Sequence, residues 1–298
     1  MRPSTLATAA ILAVTAIWGS TFFVIKDAVG RIDPVDFLVV RFAIGAAIPT
    51  LLFLGKLRRL TGRQWAVGLG IGVIYGLAQI AQTVGLQTTA ASVSGFITGT
   101  YVVLTPIVMW VAFRARVQAG TWAAIALATV GLGVLSLAGF GAGVPLLGMG
   151  EWLTLLGAAL YAVHVVVLDR HATSMDAAAL ATVQLIGVAV TCAAFGVPDG
   201  VELPTDGGVW GAVLYTAIVA GIVTMALQTW AQRHLDPTRI VLLMAFEPVF
   251  ASAFAIAFGG ESLTWRLLLG GGMILGATFL GIRAGTPEPD QAWGRSRG

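Results

Sequence analysis

Ten long apolar runs dominate the sequence, separated by short segments that carry Gly, Pro and charged residues. Each run has the roughly 20 residues that an α-helix needs to cross the hydrocarbon core of a bilayer. The runs are continuous and do not alternate with period two, which disfavours a β-barrel. The sequence therefore predicts an all-α membrane protein with ten transmembrane helices, at about residues 5–25, 34–54, 65–86, 92–113, 119–138, 147–168, 177–196, 208–231, 237–258 and 265–283.

The composition agrees with this class. Only 10% of the 298 residues are charged, whereas a soluble domain has about 25%. That excludes an ordinary soluble enzyme, a nucleic-acid-binding protein and a disordered chain. The single Cys192 permits no intrachain disulfide. No His or Cys cluster has the spacing of a metal site, so we expect no metal and no other cofactor.

Basic residues are distributed unequally over the predicted loops. With ten spans, thirteen of the seventeen Lys and Arg residues lie on the side of the two termini and three on the other side. Because basic loops stay in the cytoplasm, we expect both termini to be cytoplasmic. The polar segment 284–298 is then a disordered cytoplasmic tail. A cleaved signal peptide is an alternative for the first run, but the run continues through Phe22 and Phe23, beyond a signal core.

The two halves of the chain share a weak internal repeat. Aligned pairs at offsets of 142 to 145 include Trp18 with Tyr161, Asp33 with Asp176, Trp65 with Trp210, and Pro106 with Pro248. Because each half has an odd number of spans, five, the second half enters the membrane from the opposite side. The prediction is an inverted repeat, which lets one site open to either face in turn, with five-helix units at 1–140 and 141–283. Duplication in a scaffold without transport is the alternative.

Polar and aromatic residues recur at helical spacing inside several spans, and since polar groups facing lipid are costly, these faces should point inward. Each residue alone could simply bond two helices together, at about 0.6 kcal/mol. Taken together they predict a polar and aromatic cavity. The predicted substrate-binding residues are Trp18, Tyr75, Gln79, Gln82, Thr98, Tyr101, Tyr161, His164, Tyr215, Gln228 and Glu247.

Three ionisable residues lie at membrane depth: Arg41, His164 and Glu247. Glu247 could pair with a substrate amine, a proton or another helix, and His164 could sense protons or simply pack. For Arg41 we expect a structural or gating role, paired with a carbonyl or an acid. Pro106 and Pro248 are predicted hinges because proline leaves a carbonyl unbonded.

The same scarcity of charge limits the cargo. A sugar phosphate would need several Arg or Lys groups, and only Arg41 lies at membrane depth. A neutral or zwitterionic molecule fits better, and an aromatic lining suits amino acids with apolar side chains. A cationic drug, bound by Glu247 and cation–π contacts, is the alternative.

Several motifs resemble the EamA-type proteins of the drug/metabolite transporter superfamily. They are Ala16-Ile17-Trp18-Gly19-Ser20-Thr21-Phe22 with Arg41-Phe42, Gly95-Phe96-Ile97-Thr98-Gly99, Phe246-Glu247-Pro248, and Gly260-Glu261-Ser262-Leu263. The resemblance covers residues 5–283 and implies an inner-membrane carrier of ten helices that exports small metabolites, most similar to amino-acid exporters of the YddG type. The expected partners are a small-molecule substrate and the lipid bilayer, with no nucleic acid, as a monomer or homodimer. Arg116 stands where the repeat has Glu261, so that glutamate is not duplicated.

Other classes remain as alternatives. An intramembrane enzyme is the more distant one, because no GxSxG-like serine, no membrane-embedded aspartate pair and no HExxH motif occurs. A channel would also use polar helix faces. Glycines spaced by four residues are interpreted as helix-packing motifs; they are Gly68, Gly72 and Gly76, then Gly95 and Gly99, then Gly272 and Gly276.

Overall fold

The structure is a computed structural model, and it describes residues 3–114, 118–136, 147–171, 175–232, 234–235 and 243–284. Within these ranges all regular structure is helical, as predicted. The helices are α1 Pro3–Ala28, α2 Pro34–Leu52, α3 Leu54–Leu57, α4 Gly62–Gly85, α5 Ala91–Gly99, α6 Tyr101–Phe113, α7 Ala119–Ser136, α8 Met149–His171, α9 Ala177–Gly196, α10 Gly207–Leu214, α11 Thr224–Gln232, α12 Glu247–Phe258 and α13 Trp265–Ala284. A 3₁₀ turn, Val197–Asp199, follows α9, and a π-helical segment, Tyr215–Val223, joins α10 to α11.

Seven of the described helical segments are long and apolar enough to cross a membrane. Three shorter apolar helices, Ala119–Leu135, Gly207–Val223 and Glu247–Phe258, lie in the remaining runs. The start of the run predicted at 237–258 and the predicted tail at 284–298 fall almost wholly outside the described residues.

The fourth run is not one continuous helix. It breaks at Thr100, where the backbone N–H and the hydroxyl both donate to the carbonyl of Ile97, at 3.1 and 2.6 Å. This tighter turn replaces the regular α-helical bond and separates α5 from α6. Pro106 lies inside α6, six residues further along. The break therefore comes before the proline that was predicted as a hinge.

The eighth and ninth runs are also irregular near their middle. In the eighth, threonine hydroxyls at both ends of the π-helical segment donate to the backbone, Thr216 to Ala212 and Thr224 to Ala220. Such bonds compete with the regular backbone hydrogen bonds of an α-helix and accompany helix bends. In the ninth, α12 begins only at Glu247, so Pro248 lies in the first turn, where its missing N–H costs no helical bond.

The main helix contacts join the first half of the chain to the second. Helix α4 packs on α8 and α9, α2 on α9, α1 on α11 and α12, α5 on α8 and α12, α6 on α8, and α7 on α13. The most heavily packed pairs thus each combine a helix of the first half with a helix of the second.

Glycines let these backbones approach closely. A Cβ on Gly72 would lie 2.3 Å from the carbonyl oxygen of Gln184 in α9. A Cβ on Gly19 of α1 would lie 2.8 Å from the backbone nitrogen of Ala251 in α12, and one on Gly99 would lie 2.9 Å from the Pro248 ring. The packing interpretation is wrong for Gly272, which faces open space, because its neighbour Gly270 makes the contact with α7 instead.

Candidate functional site

Most of the predicted polar residues meet between α2, α4, α5, α8 and α9. The group, here named the central polar cluster, comprises Arg41, Tyr75, Gln79, Gln82, Thr98, Tyr161, His164 and Gln184. Helix α4 supplies three members because positions i, i+4 and i+7 share one helix face. The glycines of α4 that contact α9 adjoin these residues on the same side of the helix.

One branch of the cluster links α8 to α5 through α4. The Tyr161 hydroxyl donates to Gln82 Oε1 at 2.6 Å, and Gln82 Nε2 donates to Thr98 Oγ1 at 3.1 Å. These two bonds satisfy polar groups that would have no hydrogen-bond partner in lipid. The amide of Gln82 thus connects three helices that belong to both halves of the chain.

A second branch is aromatic. The ring of Tyr75 lies 5.6 Å from that of Tyr161 and 4.9 Å from the imidazole of His164, measured between centroids. His164 Nε2 is 2.9 Å from Gln184 Oε1 in α9. Since an amide oxygen only accepts, that nitrogen carries the proton. Gln184 was not among the predicted site residues, although it aligns with Arg41 in the repeat.

Arg41 is the cation of the cluster, and its side chain is almost completely enclosed. The residue is only 9% exposed, and its guanidinium lies 4.8 Å from the centroid of the Phe42 ring. Among the described residues it forms one hydrogen bond, a long one of 3.4 Å from Nη1 to Gln79 Oε1, and Gln79 in turn donates to the Tyr75 hydroxyl at 3.1 Å. The expected pairing with a carbonyl is thus made by the side-chain amide of Gln79, and no described acid forms an ion pair with Arg41.

Glu247 lies at the start of α12, facing the cluster from the other half of the chain. Its carboxylate interacts electrostatically with Tyr75, Tyr101 and Tyr161. Within the described ranges it forms no ion pair, and no side chain donates a hydrogen bond to it. Neither Glu247 nor Arg41 thus has an ionic partner among the described residues.

A second polar contact region joins α1 to the π-helical segment. Trp18 Nε1 donates to the carbonyl of Ala220 at 2.9 Å and lies 3.1 Å from Thr224 Oγ1. The hydroxyls of Ser20 and Tyr215 are 2.6 Å apart. The π-helical segment makes this possible because it opens the backbone ladder at Ala220. Ser20 was missed as a site residue, although it stands two positions after Trp18 in the first motif.

A cavity of about 550 Å³ is lined in part by Ser20 and Tyr215. It is bounded by α1, α10 and α12 and is mainly apolar. The rings of Phe23, Phe254 and Phe258 stack in its wall with centroids 6.0 to 6.1 Å apart, and Asp27 lies at its rim. This volume lies in the range of small-molecule sites.

The remaining predicted residues are placed apart. Gln228 Nε2 lies 3.7 Å from the sulfur of Met244, one turn beyond Thr224. Pro106 belongs to neither contact region. No group of three or more His, Cys, Asp and Glu side chains in the described part of the chain could hold a metal ion.

Comparisons with known proteins identify the family and the fold of the chain. The sequence profile of the EamA-like transporter family matches the chain twice, over residues 5–137 and 148–283. An uncharacterized transporter from Archaeoglobus fulgidus is 32% identical over 267 residues, covering 90% of this chain and 82% of that protein. A protein of known crystal structure, 19% identical, matches with a TM-score of 0.63 over 93% of this chain and 96% of its own, a likeness of fold alone. The chain therefore belongs to the EamA-like transporter family of multi-pass membrane proteins.

Proposed function

We propose that the protein is a secondary transporter that exports small neutral or zwitterionic metabolites, amino acids with apolar or aromatic side chains foremost. The observation that carries this is that Arg41 and Glu247, a cation and an acid in opposite halves of the chain, have no ionic partner among the described residues. A zwitterion offers a counter-charge to each of them in one molecule. The bulk of the cargo then lies against aromatic rings, which favour apolar side chains.

The architecture that we propose is ten transmembrane helices in two inverted five-helix repeats. The protein lies in the inner membrane, and both termini are in the cytoplasm. Two family matches of similar length support the repeat. So does the packing, in which Trp18 of α1 bonds Thr224 while its aligned partner Tyr161 of α8 bonds Gln82 of α4. Alternating access follows from such symmetry, because two equivalent halves can exchange their conformations.

In this mechanism Glu247 accepts the ammonium group of the cargo. Its position at the start of α12 suits that role, since the break before Pro248 leaves room for α12 to tilt. Trp18, Tyr75 and Tyr161 provide aromatic surface, and the Phe-lined cavity beside Ser20 and Tyr215 is the exit vestibule. The break at Thr100, before Pro106, and the start of α12, before Pro248, are the hinges.

A cationic drug is the second candidate, because Glu247 beside Tyr101 could hold a quaternary ammonium group by charge and cation–π attraction. The Arg41 guanidinium argues against it, because a second cation close to the same tyrosines repels such a cargo.

Counterflow in proteoliposomes tests the proposal. Vesicles with the purified protein and a high internal concentration of L-phenylalanine should take up labelled L-phenylalanine in a saturable manner. Glu247→Gln should lower the initial rate about tenfold, the loss expected for one charge-assisted hydrogen bond. Glu202→Gln, in the exposed loop after α9, is the matched control and should transport normally.

Each other outcome has a definite meaning. Normal rates in Glu247→Gln remove that carboxylate from the mechanism. Counterflow with tetraethylammonium but not with phenylalanine favours the drug exporter. Flux without saturation indicates a channel, and no flux of either compound contradicts the proposed function.

A further inference from the structure

The guanidinium of Arg41 is buried but poorly satisfied. A guanidinium has five N–H donors. Among the described residues, Arg41 forms a single hydrogen bond, of 3.4 Å to Gln79, and its Nε has no partner. A buried cation without a counter-charge costs free energy, and such groups are normally paired. Arg41 is therefore a buried cation that would be stabilised by an anion.

The elements packed around Arg41 supply none. Helix α4 offers the neutral side chains of Gln79 and Tyr75, α8 offers Tyr161, and α9 offers the thiol of Cys192. The ion pairs in the described part of the chain all lie elsewhere. Among the described residues the guanidinium thus faces neutral groups, and the contact with Gln79 is long enough to be exchanged for a better acceptor.

The side chain of Arg41 is well suited to binding a carboxylate. The planar fork of a guanidinium binds a carboxylate through two parallel hydrogen bonds, which an ammonium cannot do. Glu247, in the other half of the chain, precedes Pro248, whose ring lies against Gly99 of α5, next to Thr98 of the central polar cluster. An acid of the second half therefore lies beside the cluster that contains Arg41.

We propose that Arg41 is the binding residue for the carboxylate of the cargo and gives the site its preference for α-amino acids over the corresponding amines. This inference rests on the proposed function and deepens it. The carboxylate displaces Gln79 Oε1 from Nη1, and the freed amide keeps its bond to the Tyr75 hydroxyl. The cargo's ammonium group then lies toward Glu247, and its side chain lies over Tyr75 and Tyr161.

The test compares an acid with its neutral derivative. L-Phenylalanine, L-phenylalaninamide and 2-phenylethylamine compete for counterflow in proteoliposomes with the wild-type protein, Arg41→Gln, Arg41→Lys and Arg58→Gln. Arg58 is an exposed arginine beyond α2 and is the matched control. The wild type and Arg58→Gln should prefer the acid to the amide at least about tenfold, the loss expected when one partner of a buried charge pair is removed.

Arg41→Gln should lose this preference while the amide still competes, and Arg41→Lys should keep part of it. A wild-type protein that transports acid and amide equally well overturns the inference but leaves export of amino compounds intact. An unchanged preference in Arg41→Gln also overturns it. Transport of none of the three compounds by the wild type contradicts the proposed function itself. If Arg41→Gln does not fold, the wild-type ratio and Arg41→Lys decide.

Discussion

Replacement of Gly72 by alanine tests the contact between α4 and α9 directly. In α4 the added Cβ would lie 2.3 Å from the carbonyl oxygen of Gln184 and 2.9 Å from the Cα of Gly187. Both obstructing atoms belong to the backbone of α9, so no side-chain rotation can relieve the clash. The two helices must separate by about 1 Å to restore van der Waals distance.

The expected cost follows from that separation. Overpacking by one methyl group in a tight interface destabilises a protein by about 1–3 kcal/mol. Gly70 is a matched control two residues away on the same helix, because nothing lies within 4 Å of its Cβ position. There alanine should stabilise the helix by about 0.5–1 kcal/mol, since it removes only backbone freedom. The two variants should thus differ by about 1.5–4 kcal/mol in opposite directions.

Thermal unfolding in detergent, followed by tryptophan fluorescence, measures both effects. Gly72→Ala should unfold at a lower temperature than the wild type, and Gly70→Ala at the same or a higher one. Equal midpoints for the two variants would mean that α4 and α9 are not in backbone contact at Gly72. Helix propensity alone cannot produce the expected difference, because both positions lie in the middle of α4.

Two further predictions concern the helix ends. The Glu261 carboxylate accepts hydrogen bonds from the backbone N–H of Ala91, at 2.6 Å, and from the Ser92 hydroxyl at the start of α5. Glu261→Gln should therefore destabilise the protein by about 1 kcal/mol in thermal unfolding, and an unchanged midpoint would show that the cap is dispensable. The Lys56 ammonium and the first amides of α9 lower the pKa of Asp176 below its ordinary 3.8. Its stabilising effect should be complete above pH 3.8 and be lost as the pH falls through the lower folded-state pKa, and Asp176→Asn should lack this part of the pH dependence.

Hydropathy predicts the positions of the helices well, because a segment buried in lipid has to be apolar over a fixed length. It does not predict the break at Thr100 or the π-helical segment Tyr215–Val223. Both depend on threonine hydroxyls that bond to the backbone, and on contacts made by other helices. The sequence of an apolar run does not show whether the hydroxyl of a threonine in it bonds to the backbone and disturbs the helical hydrogen bonds.

Within the site, helical spacing predicts which residues share a face but not which faces meet. Tyr75, Gln79 and Gln82 lie together as expected, since their spacing alone places them on one side of α4. Gln184 and Ser20 were missed because their role depends on partners from the other half of the chain, His164 and Tyr215. The internal repeat could have indicated Gln184 as a site residue, because Gln184 aligns with Arg41.

The ion pairs between the halves indicate which helices cannot act as a gate. Lys56, just after α2, pairs with Asp176 at the start of α9 at 2.9 Å, and Arg31, just before α2, pairs with Asp206, beyond α9. These pairs join opposite ends of the α2–α9 contact, and both exist in the same conformation. In the alternating access proposed above, a gate is open at one end when it is closed at the other, so the α2–α9 contact acts as an axis. Opening then involves α1, α10 and α12, the helices that bound the 550 Å³ cavity.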